Sequence, residues 1–414
     1  MSSERGDVSI ATLLLALVVI FVIATFVLAV FLFIRDDGDG DLTIYSSLPL
    51  HGADGPDRQV EDMVRAIDLA LEQRAHKAGS FTVKHVSLDD STPDPGGFTA
   101  AATASNARTA ADDDHTGGYL GDFSSGASAI SIPILSVAKV PQVSPASTAV
   151  GLTSEGDQRG SADPSEPETY YSEGYRNFVR VVPKDSVQAD AITGLLLDDG
   201  CQRVAIINDG GYYGVRLARE IRLSSTRRGL KIVFDKTIGT RASRLPRLAA
   251  AKEPDCFIYS GARDDRTVDL FTGVARRRPR ARLYGGDGLA ETAFTTQIDQ
   301  ATADRVHMTL PARDRKARLG RAFVTSYKQR FAGDEPEPYA VYAYESALLL
   351  LDAIERSETG KREDIVRELF ETDARASAIG AYSIDDNGDT DATRYDLYRI
   401  ANRGLRFDRT IDAR

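Results

Sequence analysis

The chain is poor in the residues that usually carry chemistry. Its five histidines, His51, His76, His85, His115 and His307, form no metal-spaced pair, and no GxSxG, GxGxxG, P-loop or HExxH pattern occurs in its 414 residues. An enzyme reading therefore has no catalytic centre to point to, and neither a metal nor a cofactor is expected. A basic tail is absent too: the formal charge is -10, with both signs mixed along the chain, which argues against a nucleic-acid surface. The two cysteines, Cys201 and Cys256, leave two options open, one disulfide in an oxidising compartment or two small buried thiols. Asp385, Asn387, Asp389 and Asp391 alternate like a calcium loop, but Gly388 is misplaced and the twelfth position is Asp396, so a turn suffices.

What the chain has in quantity is ordinary globular material, 42% apolar and 27% charged, at a length that suits two domains. It also has one long apolar run. Val8 to Ile34 carry no charged side chain, against the roughly 20 apolar residues that span a bilayer, and no signal-peptide cleavage site stands out. The run reads as one N-terminal transmembrane helix, with residues 1–7 a cytoplasmic stub and 35–41 a linker. Arg5 and Arg35 balance across it, so charge alone leaves the orientation open. The working part follows the helix and is placed outside the cell, extracellular or periplasmic, on a single-pass anchor.

Beyond residue 41, strands and helices alternate as in a parallel α/β sheet. LTIYS (42–46) and FTVKHVSL (81–88) read as strands around a helix at 58–74, whose Val60, Met63, Ile67 and Leu71 recur at helical spacing. A second series follows: VAIIND (204–209), LKIVFDKTI (230–238), DCFIYSG (255–261), RLYGGDG (282–288) and RVHMTLP (305–311). Residues 153–173 lack periodicity and read as a surface loop, while 339–354 form an amphipathic helix. The chain is expected to end in short strands around Asn387-Gly388. Two hydroxyl clusters, Ser124/Ser125 and Ser144/Ser147/Thr148, fall at the ends of two short strands one helix length apart. Neutral donors at helix N-termini beyond the carboxyl ends of strands suit a small carboxylate. Helix capping is their plainer use.

YLGDFSSGAS, VPQVSPAST, FVRVVPKDSVQADA, VAIINDGGYYGVRLA, YGGDG, YAVYAYESALLLLDAI and GAYSIDDNGD, in this order, resemble the type I periplasmic binding proteins, the family that includes the leucine/isoleucine/valine-binding proteins of ABC transporters. The likeness covers roughly residues 42–407. It implies two Rossmann-like lobes with parallel sheets joined by a three-segment hinge, lobe 1 from 42–183 and 312–383, lobe 2 from 184–311 and 384–414.

By the same resemblance, Ser125 and Thr148, with backbone amides near Ala146, would hold a ligand α-carboxylate, Tyr213 would cover the ligand, and Asp287 would take its α-ammonium. Two departures bear on selectivity. The loop after the first strand carries Leu48, Leu50 and His51 where the family often has an aromatic, and Arg263 stands near where branched-chain receptors carry one. Arg263 could accept an acidic ligand side chain. The function implied is capture of an amino acid or similar small amphoteric ligand for an ABC permease and its ATPase subunits, with no nucleic-acid partner; the alternative is a ligand-sensing module that reports to a partner membrane protein.

Overall fold

The computed structural model describes residues 40–52, 55–92, 97–155, 165–239, 242–264, 266–313, 315 and 318–413. The apolar run 8–34 and its flanks, 1–7 and 35–39, lie outside these residues. Among the described residues no helix is long and apolar enough to cross a membrane.

Two sheets organise the chain. In the first, β1 (Asp41–Leu48), β2 (Phe81–Asp89), β3 (Thr116–Leu120), β4 (Gln142–Ser144) and β5 (Phe178–Arg180) run parallel in the order β2-β1-β3-β4-β5, with the short strand Lys77–Ala78 folded back on β2. The central strand is buried along almost its whole length, and Ile44 sits between His85 and Gly118. A strand covered on both faces is buried throughout, and here Thr43, Ser46 and Ser47 are buried along with Leu42, Ile44 and Leu48.

The second sheet is built from β6 (Arg203–Asn208), β7 (Lys231–Thr237), β8 (Cys256–Ser260), β9 (Arg282–Gly285), β10 (Val306–Pro311), β11 (Arg394–Ala401) and β12 (Gly404–Asp412), in the order β7-β6-β8-β9-β10-β11-β12. Its first five strands are parallel, as expected. Its last two are antiparallel, which corrects the expectation of purely parallel sheets. The reason is local. Asn402 and Arg403 both adopt positive φ, 52° and 60°, and reverse the chain in two residues, so β12 returns as a hairpin instead of a crossover. Asn387-Gly388 has a lesser role than expected: it closes a small loop bridged by Ile384 and Thr390, before the long terminal strands begin.

The helices follow from capping and spacing. Asp57 accepts from the amides of Gln59 and Val60 and starts the helix Arg58–Gln73, which buries Val60, Met63, Ile67 and Leu71. That stripe packs on the helix Ala340–Ser357, whose residues are buried on nearly every side. The helix after β5 spans Asp185–Asp198, with Lys184 in the cap position and Asp185 as its first residue. Cys201 and Cys256 form a disulfide with their Cα atoms 5.9 Å apart, which settles the choice the sequence left open.

The chain passes between the two sheets three times, after β5, after β10 and before β11. One ion cluster ties two of these passages together. Arg180, fully buried, donates from Nε to Asp389 at 2.7 Å and to the carbonyls of Ser147 and Ala149. Lys184 reaches the other oxygen of Asp389 at 2.7 Å, and Thr153 donates to the first at 2.8 Å. These cations hold the Asp389 carboxyl well below the usual range, despite a burial that acts the other way. The aspartate that looked like a calcium ligand is occupied as a hinge brace. Asp385 is occupied too, accepting from the amides of Asn387 and Asp389.

Candidate ligand-binding site

A cavity of about 610 Å3 lies between the two sheets, where the carboxyl ends of their strands face each other. A volume of this size suits a small organic solute. The wall on the side of the first sheet is the start of the helix Ser125–Val137, with Phe123, Ser124, Ser125 and Ala146. Ser124 occupies the cap position in an extended conformation, without a side-chain cap bond. Ser125 is only 2% exposed, and its Oγ accepts from the amides of Thr148 (3.1 Å) and Ala149 (3.2 Å). Those two bonds use the acceptor side of the hydroxyl and leave its proton to donate.

Ser144 and Ser147 have structural partners. Ser144 and Ser147 both donate to the carbonyl of Asp122, at 2.9 and 3.0 Å, and Ser144 Oγ accepts from the amides of Ala146 and Ser147. The amide at Ala146 is thus engaged within its own loop. Thr148 is fully buried behind Ser125, with its carbonyl on the Asp185 amide at 2.8 Å, and does not line the cavity. Beneath them Asp122, completely buried, gathers Tyr119, Ser131 and Gln142, and burial with nearby Asp90 pushes its carboxyl up to about 8. Sequence reasoning passed over Asp122, although an acid inside a short apolar strand end is a signal in itself.

The opposite wall comes from turns after strands of the second sheet. Asp209 follows β6, Tyr212 and Tyr213 begin the helix Tyr212–Arg227, Arg263 follows β8, and Asp287 follows β9. Asp287 is 5% exposed and held on both oxygens. Tyr213 donates to Oδ1 at 2.6 Å and Gln188 at 2.7 Å, while Tyr339, from the segment before the helix Ala340–Ser357, donates to Oδ2. Gly286 permits this approach, since a Cβ there would stand 2.8 Å from the Tyr213 hydroxyl. Among the described residues the carboxylate has three neutral donors and no cation paired with it. Its titratable neighbour is Asp185, completely buried, whose carboxyl is pushed up to about 8 by burial and by Asp287. A buried acid held by neutral donors without a counter-charge is suited to a positive group.

Arg263 lines the cavity, yet it is already paired with Glu291. The loop residues expected to replace an aromatic contact do not reach the cavity: Leu48 is core and His51 faces Asp89 at 2.9 Å. The rings come from elsewhere, Phe98, Phe123, Tyr212 and Tyr339, with Phe123 and Tyr339 edge to face at 5.8 Å. None of these, nor Gln188, was singled out from sequence. Their helical and turn contexts look like ordinary core, and only the closing of two walls makes them a lining. The segment 153–173 also departs from its reading as a surface loop, for Glu166, Tyr170 and Tyr171 in its described part are buried. Glu166 accepts from Tyr212, on the far wall, at 2.9 Å.

With this geometry in place, comparison with known proteins decides the family. The family model described as "Periplasmic binding protein" matches residues 49–404. The chain belongs to that family. Among curated members, the leucine-specific-binding protein of Salmonella typhimurium is 24% identical over 229 residues, 55% of this chain and 61% of the relative. The matched region thus spans about three fifths of that relative's length. Among solved structures, a leucine-binding protein from Thermotoga maritima superposes with a TM-score of 0.73 at 23% identity, covering 90% of this chain and 99% of the other. A solute-binding protein of an ABC transporter from Rhodopseudomonas palustris, solved with p-hydroxybenzoic acid, gives 0.75 at 15% identity, covering 90% and 98%. At these identities the structural likeness establishes the two-lobed α/β fold.

Proposed function

We propose that this family member is an extracytoplasmic solute-binding protein that takes an amino acid or a similar small zwitterion into the cleft and passes it to the permease and ATPase subunits of an ABC importer. One observation carries the reading: Ser125, with a proton left to donate, and Asp287, lacking a counter-charge, line opposite walls of one cavity. Neutral donors at one end and a buried anion at the other match the two poles of a zwitterion. The names of the relatives, leucine-binding and solute-binding proteins, agree with it. The lobes are taken as 42–183 with 312–383, and 184–311 with 384–414, and the apolar run 8–34 as the tether that keeps them at the outer membrane face.

Ligand contacts to both lobes favour the closed form over the open one, so binding and closure are one equilibrium. Isothermal titration of the full-length chain against the common amino acids tests the reading. Binding in the micromolar range, about -8 kcal/mol, is the expected result. A folded sample that gives no heat with any zwitterion would refute it.

A further inference from the structure

A second, smaller cavity of about 260 Å3 opens between the same two lobes. Asp57, Arg58, Gln59 and Glu337 form one side, and Glu291, with the start of the helix Thr292–Gln297, forms the other. Arg263 is shared between this lining and that of the larger cavity, so a single side chain stands at the boundary.

The lining sets three carboxyls, Asp57, Glu291 and Glu337, against two guanidiniums, Arg58 and Arg263. Glu291 and Glu337 are 7% and 6% exposed, and burial together with Asp57 and Glu337 raises the Glu291 carboxyl to about 7, against the pull of Arg263. Arg263 serves Glu291. Glu337 has the Thr292 amide at 3.3 Å and, at 3.7 Å, the guanidinium of Arg58, which is more than half exposed. Gln59 is 6% exposed, and its buried Oε1 has no hydrogen-bond partner. Buried amide oxygens are nearly always satisfied, and a buried carboxylate is stabilised by a cation held at hydrogen-bond distance. Glu337, whose arginine is half exposed and stands at 3.7 Å, and the Gln59 oxygen together leave room for one further positively charged N–H donor.

We propose that this cavity receives the distal ammonium or guanidinium group of a solute whose carboxylate and α-ammonium occupy the larger cavity, which makes the preferred ligand a basic amino acid; the proposal rests on the zwitterion reading above. Arg263 keeps its place on Glu291, and the ligand cation pairs with Glu337 and the Gln59 oxygen. An acidic side chain, the earlier expectation for Arg263, would meet a guanidinium that is already neutralised.

The test is isothermal titration of the full-length chain with L-leucine, L-arginine and L-lysine. Arginine or lysine should bind about tenfold or more tightly than leucine. Glu337→Gln and, separately, Gln59→Leu should each bring the basic ligands down to leucine's affinity while leaving leucine unchanged, which also shows that the variants fold. Equal affinities, or a basic preference that neither variant alters, overturn the proposal and leave the zwitterion reading standing. Silence with all three ligands overturns that reading itself. Heat from calcium chloride alone that disappears in Glu337→Gln would make the cavity a metal site and also refute the proposal.

Discussion

Asp287 and Ser125 contribute differently although both line the same cavity. Asp287→Asn keeps the shape but removes the charge opposite an α-ammonium, and its new amide N–H groups must face Tyr213, Gln188 and Tyr339, which all donate. A loss of about 3 kcal/mol is expected, a hundredfold or more in the affinity for a zwitterion, read by titration calorimetry. Ser125→Ala removes one neutral donor and should cost about tenfold in the same assay. Gly388 is a residue of a different kind, with φ at +91° and the place of its Cβ 2.1 Å from the carbonyl of Phe178. Gly388→Ala must push the third crossing away from β5, and a destabilisation of about 2 kcal/mol or more is expected in a urea titration. Ligand affinity should fall with it.

The hinge brace is the clearest device at the level of the element. Asp389→Asn leaves Arg180 buried with no carboxylate, and breaking a buried pair by removing one partner costs about 3–5 kcal/mol. The pH dependence has a definite sign. Because the folded-state carboxyl lies below its unfolded value of about 3.9, its stabilisation is complete above that value and is lost as pH falls toward the folded value. Thermal melts between pH 5 and pH 2 should therefore fall more steeply for the wild type than for Asp389→Asn. The disulfide between Cys201 and Cys256 is the second such device, closing a loop of 55 residues between the approach to β6 and the start of β8. Chain entropy puts its contribution at about 4 kcal/mol, so melting under reductant should show a large drop, absent in a Cys201→Ala/Cys256→Ala double variant.

For the whole molecule, ligand binding and lobe closure share one free energy. A ligand at a hundred times its dissociation constant should add about 2.7 kcal/mol to stability and reduce the radius of gyration in solution scattering. At that concentration Asp287→Asn, with its affinity down a hundredfold or more, should cut the stabilisation to about 0.4 kcal/mol or less and the contraction to about half or less.

The alternation of strands and helices was legible because strands such as β6 carry apolar runs and helices such as Arg58–Gln73 repeat their buried positions every three or four residues, as Val60, Met63, Ile67 and Leu71 do. The sequence reading then pointed to Ser125, Ala146, Thr148, Tyr213, Arg263 and Asp287, and all but Thr148 line one cavity. The antiparallel turn of the last two strands was not legible, since positive φ at Asn402 and Arg403 leaves no strong mark in residue type. Nor were Asp389 as a brace, Arg263 as Glu291's partner, or Phe98 and Tyr339 as lining. Composition and periodicity act between neighbours along the chain, and they settled the elements and their order. Charge pairing and cavity walls act between residues as far apart as Arg180 and Asp389, 209 positions in sequence. Only the folded chain brings those residues within reach, so only the tertiary structure decided which acids are paired with a cation and which are held by neutral donors alone.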